Sequence, residues 1–232
     1  MRTIQLGEIP IEVVLKNIKN VHLSVYPPKG RVRISAPTKS KLDTLRLYAI
    51  SRLGWIKRQR SKILGQERET PRSFIQRETH YFWGKRYLLD VQEGHRPQGV
   101  TLANGEIRLR VPWKASKAKR SEVLEGWRRN ELRKELPEMV LRWSKKLGVS
   151  PKKVFVQKMK TQWGSCTHRT QSIRLNTELT KKPKQHLDYV VLHEMAHLLK
   201  PTHSKEFIGI LNEQMPMWRE IKKGLNRLPV GA

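Results

Sequence analysis

The sequence predicts an α+β fold, with a β-rich N-terminal lobe that contains one helix and a helix-dominated C-terminal half with a small antiparallel sheet. Apolar and polar residues alternate through much of residues 9–36 and 73–113, which is typical of half-buried strands. From residue 116 onwards the apolar residues recur mainly at helical spacing. Because strands and helices are segregated along the chain, we expect two domains, residues 1–115 and residues 116–232.

The N-terminal lobe contains two turn signals. Residues 9–36 predict a hairpin with Pro-Pro-Lys-Gly at its turn, and Asn104-Gly105 predicts a second, tight hairpin between alternating runs. Between them, a helix is predicted over about residues 40–64, from apolar residues that recur at helical spacing: Leu42, Leu45, Ala49, Leu53, Ile56 and Ile63. Its basic face is expected to be solvated.

The C-terminal half contains three predicted helical stretches and two short strands. The first helix covers about 116–147, with a kink or break at Pro137 and a C-terminal cap at Gly148. The strands are predicted at 153–160 and 171–176, and the remaining helices at about 184–200 and 204–214, the last ended by Pro216. No internal repeat is evident.

The charge of the chain is strongly positive. Its 232 residues include 48 Lys and Arg against 20 Asp and Glu, a formal net charge of +28. A field of this sign attracts polyanions, so nucleic acid is one expected partner through the basic surface, although an ordinary solvated surface explains the charge equally well. The sequence shows no long apolar run, no export signal and a single cysteine, Cys166. We therefore expect no membrane association and a cytoplasmic protein.

Three histidines fall within eleven residues of the stretch YVVLHEMAHLLKPTH. His193 and His197 are four residues apart, which places both imidazoles on one helical face and allows them to bind one metal ion. Glu194 follows His193 and can direct its carboxylate at a water molecule held by that ion, the arrangement of the H-E-x-x-H motif. His203 follows Pro201, where the helix should end and the chain can turn back to supply a third ligand.

These residues predict a zinc site with an open coordination position, although other divalent ions also suit imidazole ligands. The structural alternative is three unrelated histidines on a core helix. The apolar sequence around them and the absence of Lys and Arg from residues 185–199 favour the metal site.

Four segments in order resemble the YgjP-like family of metal-dependent hydrolases, which is related to SprT-like metallopeptidases. They are MKTQWGSC (159–166), IRLNTEL (173–179), DYVVLHEMAHLLKPTHSKEF (188–207) and MPMW (215–218). The resemblance implies that residues 116–232 form a zincin-like catalytic domain with zinc at His193, His197 and His203 and Glu194 as catalytic base. The metzincin pattern also fits, except that Lys200 replaces its glycine. Ile208 stands where the family has a bulkier aromatic residue.

Other residues are candidates for supporting roles. Glu206 could orient a ligand imidazole, although a carboxylate in the first turn of a helix is an equal interpretation. We expect His186 at the surface. The strand around Trp163, Gly164 and Ser165 either packs on the histidine helix or binds an extended substrate.

Three functions remain open from the sequence. The first is a zinc-dependent metallopeptidase that uses a metal-bound water activated by Glu194. The second is a metal-dependent nucleoside triphosphate pyrophosphatase, in which basic side chains hold the phosphates: Lys158, Lys160, Arg169 and Arg174. The third is a nucleic-acid-binding module with a structural metal. A protease that acts on proteins bound to DNA would combine the first and the third.

Overall fold

The structure is a computed structural model that describes residues 2–26, 29–65, 71–94, 97–159 and 161–227. The chain divides into two compact units, residues 1–68 and residues 69–231. The α+β class is confirmed, with strands concentrated in the N-terminal half and helices in the C-terminal half. Among the described helices, none has both the length and the apolar character needed to cross a membrane.

The first unit is a four-stranded sheet with two helices. Its strand order is β1-β2-β4-β3, in which β2 and β4 are parallel and both outer pairs are antiparallel. The predicted hairpin at 9–36 therefore consists of β3 and β4, while β2 lies on the other side of β4. The bounds are β1 (Arg2–Leu6), β2 (Ile9–Lys16), β3 (His22–Tyr26), β4 (Arg31–Pro37), α1 (Leu42–Ser51) and α2 (Leu53–Leu64).

The single helix predicted over residues 40–64 is two helices. At Arg52, φ is −105° and ψ is 7°, and its N–H bonds to the carbonyl of Ala49, three residues back, instead of continuing the four-residue pattern. Apolar residues on both sides of this break pack on the sheet, among them the buried Leu45 and Ile56. The apolar residues keep their helical spacing on both sides of the break, so this spacing alone does not indicate that the helix ends at Ser51.

The second unit begins with another four-stranded sheet, in the order β5-β6-β8-β7. Asn104 and Gly105 both have positive φ, 51° and 77°, and join β7 to β8 as the predicted tight hairpin. The strands are β5 (Thr79–Phe82), β6 (Lys85–Glu93), β7 (Gly99–Ala103) and β8 (Glu106–Val111).

The helix α3 (Lys117–Leu147) packs on this sheet and on the segment before the histidine helix. The domain boundary predicted at residue 115 consequently falls inside the second compact unit. The helix runs unbroken through Pro137, because buried side chains before and after the proline, including Leu132 and Trp143, hold it against the core. Ser116 and Gly148 cap its two ends.

The small sheet beside the histidine helix is mixed and not purely antiparallel. Its order is β10-β11-β9, and β11 is antiparallel to β10 but parallel to β9. The last strand in the chain, β11, lies between β9 and β10, and it runs parallel to the first of them and antiparallel to the second. The remaining elements are β9 (Lys153–Gln157), β10 (Gly164–Thr167), β11 (Ser172–Asn176), α4 (Lys184–Leu199), α5 (Lys205–Gln214) and α6 (Trp218–Arg227), of which α6 was not predicted.

The two four-stranded sheets share one topology, which the sequence analysis did not detect. Each consists of two hairpins whose second and fourth strands pair in parallel. The fourth strands also correspond in sequence, GRVRISAP at 30–37 and GEIRLRVP at 105–112, with the same alternation of buried residues. The chain therefore contains the same four-stranded module twice.

Candidate metal centre

The helix α4 places His193 and His197 on one face, next to the buried core. Their ring centroids lie 4.9 Å apart, as the four-residue spacing predicts. The rest of the helix is unusually buried because it packs against α3, α5, α6 and β10, so its apolar residues surround the pair on several sides. The two imidazoles therefore project from a rigid element.

His203 joins this pair from the segment after α4. The helix ends at Leu199, Lys200 is extended, and α5 begins at Lys205 with Ser204 as its cap. The intervening turn returns the chain, so that His203 Nε2 lies 3.2 Å from His193 Nε2. Two nitrogens bound tetrahedrally to one zinc ion at about 2.0–2.1 Å stand roughly 3.3 Å apart, which fits this pair. One ligand atom from each of the three histidines lies within 4.8 Å of the others.

Neighbouring groups fix the orientation of the rings. His197 Nδ1 lies 3.1 Å from the carbonyl oxygen of Lys200 and must donate to it, which leaves Nε2 unprotonated and free to bind a metal. The Tyr189 hydroxyl lies 3.5 Å from His193 Nδ1. The buried Phe207 ring contacts all three imidazoles. Tyr189 and Phe207 were not predicted, because their roles depend on contacts made only in the folded chain.

The protonation of the histidines also suits metal binding. Burial lowers the pKa of His193 to about 3, with smaller contributions from His197, His203 and Lys222. Burial likewise lowers the pKa of His197. Both imidazoles are therefore neutral at pH 7 and present lone pairs, the form in which histidine binds a metal. The donor set thus fits a zinc ion.

Glu194 is buried beside the three imidazoles, only 6% exposed, and its burial raises the pKa of the carboxyl to about 8. A cation held by the neighbouring histidines would lower this pKa by charge attraction. Its side chain lies against Gly164 of β10, where an added Cβ would stand 2.7 Å from Glu194 Oε1. The space for this carboxylate therefore depends on the absence of a side chain at position 164.

A cleft of about 380 Å³ leads to the centre. One wall is formed by the three histidines, Glu194 and Pro201, and the other by residues of and around β10: Gln162, Gly164, Ser165, Cys166 and His168. The sequence did not single out Gln162 or His168, since neither belongs to the histidine motif. The sheet edge that carries β10 thus lies next to the three histidines.

The family model described as "YgjP-like, metallopeptidase domain" matches residues 19–228. The chain belongs to the YgjP-like family. This membership makes it a metal-dependent hydrolase of the metallopeptidase type. No curated protein matches the chain.

Two metallopeptidase zymogens of known structure are similar to part of this YgjP-like chain. Abylysin of Pyrococcus abyssi is 20% identical, with a TM-score of 0.36, over 38% of this chain and 89% of that one. Jannalysin of Methanocaldococcus jannaschii is 21% identical, with a TM-score of 0.35, over 38% of this chain and 90% of that one.

Of the candidate substrate-binding residues in this YgjP-like chain, some line the cleft and others do not. Gly164 and Ser165 line the cleft, whereas Trp163 packs on the core beside α4, with Lys182 Nζ 5.8 Å from its ring centroid. Arg174 donates to Thr167 Oγ1 and lies over the Phe155 ring.

The remaining candidates lie outside the cleft lining or outside the described chain. The Glu206 carboxylate accepts from Ser204 Oγ, and none of the described ligand histidines donates to it. His186, expected at the surface, is buried at 4% exposure because α6 covers it. Lys160 falls outside the described residues.

Proposed function

We propose that the chain is a zinc-dependent peptidase, with His193, His197 and His203 as metal ligands and Glu194 as general base. The observation that carries this proposal is the juxtaposition of three imidazoles with one buried carboxylate at the end of an open cleft. When bound there, zinc would polarise a substrate carbonyl and lower the pKa of a water molecule in the remaining coordination position.

Glu194 supplies the proton transfers in this proposal. Its carboxylate takes a proton from the attacking water and returns it to the nitrogen of the leaving amine. Burial makes the carboxyl a stronger base than an exposed glutamate, which favours proton uptake. Because the Glu194 side chain is buried and packs directly against Gly164, we expect the carboxylate to need little reorganisation.

The lining of the cleft favours a peptide over a nucleotide. Among the described lining residues there is no Lys or Arg to bind phosphates. Lys158 lies 4.0 Å from the buried Glu178, and Arg174 contacts Thr167, so both have partners elsewhere; Arg169 is exposed and does not line the cleft. On the opposite wall, β10 is an edge strand whose described pairing is with β11 alone, and its other edge can bind an extended peptide backbone.

The Glu194→Gln variant tests the assigned base. An unfolded protein such as reduced casein and a set of nucleoside triphosphates are incubated in parallel with parent and variant, with and without a zinc chelator. We expect peptide cleavage by the parent, its loss on chelation and its return with zinc. The variant should retain zinc and its circular dichroism spectrum but lose roughly 10²–10⁴-fold in kcat, the usual contribution of a positioned base.

Glu213→Gln is the matched control, because it makes the same chemical change at an exposed position of α5. It should cleave at the parent rate. Cleavage by Glu194→Gln at that rate would show that another group is the base. Release of phosphate or pyrophosphate without peptide cleavage would replace the peptidase by a nucleotide hydrolase.

A further inference from the structure

The duplicated four-stranded module offers an internal comparison between two equivalent clefts. In each module a tight turn joins the first two strands, and a following helix packs across the sheet. The turns are Gly7-Glu8 in the first unit and Trp83-Gly84 in the second. Each turn faces its helix across a cleft, and of the two clefts the described residues fill only that of the second unit.

In the second unit the filling segment is residues 180–184. Trp83 N–H donates to the carbonyl of Thr180 at 2.6 Å. Gly84 touches Pro183 so closely that a Cβ would stand 2.7 Å from its Cγ. Lys184 Nζ then reaches Glu135 on α3, 2.7 Å from its carboxylate oxygen. The segment is thus held by a turn N–H, by packing on the turn and by an ion pair to the helix.

In the first unit the corresponding cleft is a cavity of about 910 Å³ between the Gly7-Glu8 turn and α2. Its apolar lining includes Ile9, Leu53 and Leu64, and Leu64 is 58% exposed. Gly7, which holds the position of Trp83, donates to no backbone carbonyl among the described residues. A turn N–H, an apolar surface and charged helix side chains therefore surround this cavity, and the described chain places no occupant in it.

The helix beside this cavity carries positive charge, whereas the helix beside the filled cleft of the second unit carries negative charge. Where α3 presents Glu135 to a lysine, α2 presents Lys57 and Arg60. Neither cation forms an ion pair within the described residues, and Arg60 Nε is buried with no hydrogen-bond partner there. Arg60 is also held in place, because its side chain packs over Gly30, with Cγ 3.4 Å from where a Cβ would be. A carboxylate in the cavity would pair with the charged ends of Lys57 and Arg60.

We infer that this cavity is a docking site for an acidic segment of a partner protein. The segment would place a backbone carbonyl against the Gly7 N–H, an apolar side chain on Leu53 and Leu64, and a carboxylate between Lys57 and Arg60. This inference does not depend on the peptidase chemistry, since all the lining residues belong to the first unit.

The probe for this site can be copied from the segment that fills the other cleft. A fluorescein-labelled peptide of residues 178–184 carries the changes Lys181→Glu, Lys182→Glu and Lys184→Glu, and the unchanged sequence is the control peptide. Binding to the full chain is measured by fluorescence anisotropy. We expect the acidic peptide to bind and the unchanged peptide to bind at least about tenfold more weakly, which is the loss of one charge-assisted hydrogen bond.

Protein variants then locate the site. Lys57→Glu and Arg60→Glu should each weaken acidic-peptide binding by about tenfold or more. Arg58→Glu makes the same charge change on the exposed side of α2, outside the cavity lining, and should have a much smaller effect. Leu64→Ser tests the apolar contact without a change of charge and should also weaken binding.

Three results would overturn the inference. Equal losses from Arg58→Glu and Lys57→Glu would mean that only the net charge attracts the peptide. Equal binding of the acidic and unchanged peptides would mean that no carboxylate is recognised. Tight binding of a single-stranded oligonucleotide that is lost in Lys57→Glu and Arg60→Glu, with no peptide binding, would assign the surface to nucleic acid.

Discussion

Glu194 and Gly164 occupy a shared space at the floor of the cleft. They are thirty residues apart in sequence, yet a Cβ on Gly164 would overlap both Glu194 Oε1 and Val190 Cγ1, at 2.7 and 2.9 Å. Here φ is not the constraint, because Gly164 is not among the positive-φ glycines. The requirement for glycine is therefore one of space, and it exists only because β10 packs on α4.

Substitution of Gly164 tests this dependence. Gly164→Ala should force the Glu194 carboxylate to move while leaving the three histidines in place. We expect zinc content to be retained and kcat to fall about 10²-fold, the effect of a displacement of roughly 1 Å on a catalytic group. Gly126→Ala on α3 is the control, because nothing lies within 4 Å of its added Cβ. If Gly164→Ala instead loses zinc, the substitution displaces the histidines and not only the Glu194 carboxylate.

At the level of elements, the β5–β6 turn holds the start of the histidine helix. The turn binds the backbone of Thr180 and touches Pro183, the residue directly before α4. Lys184, the first residue of α4, contacts α3 through Glu135 and lies over the Trp83 ring. One end of the helix that carries His193 and His197 is thus attached to the preceding sheet, which explains why residues 69–115 belong to the same compact unit as the three histidines.

Two glycine substitutions separate this contact from backbone strain. Gly84 and Gly105 have nearly the same positive φ, 78° and 77°, but an added Cβ would meet another segment only at Gly84. Alanine at either position should lower the free energy of unfolding by about 1 kcal/mol or more through φ strain alone. Gly84→Ala should lose a further ~1–3 kcal/mol by overpacking against Pro183, measured by urea unfolding. Equal losses from the two variants would mean that the turn does not support α4.

For the whole molecule, the acid limit of stability should depend on a buried histidine in the second unit. His80 is 2% exposed and hydrogen-bonds Glu78 at 2.9 Å. Burial, with smaller contributions from the charges of Arg128 and Arg72, lowers its pKa to about 4 against the opposing effect of Glu78. His80 is therefore protonated below about pH 6.5 in the unfolded chain, but only below about pH 4 in the folded chain.

Stability should accordingly fall as the pH drops from about 6.5 to 4, by up to roughly 3 kcal/mol from this residue. The lowered pKa of Glu78 acts in the same direction at the acidic end of this range. Tryptophan fluorescence during urea unfolding suits the measurement, because six of the seven tryptophans lie in the second unit. His80→Gln should flatten the pH dependence, whereas the exposed His22→Gln should not. A profile unchanged by His80→Gln would contradict this assignment.

The sequence predicted local features well. The Asn104-Gly105 turn, the C-terminal cap Gly148 and the spacing of His193 and His197 all depend on residues within a few positions of one another. Features that depend on distant pairing were missed or altered. The parallel pairing of β9 with β11, the extension of the second unit to residue 69 and the repeat of the four-stranded module belong to this class.

The sequence by itself determined the three imidazoles and the carboxylate, because helical periodicity and one proline are enough to bring residues 193–203 to one place. Only the tertiary structure decided what surrounds them. The cleft wall of β10, the space that Gly164 leaves for Glu194 and the filling of the second module's cleft by residues 180–184 arise from segments far apart in the chain. Such contacts are fixed by the packing of whole elements, and no short stretch of sequence encodes them.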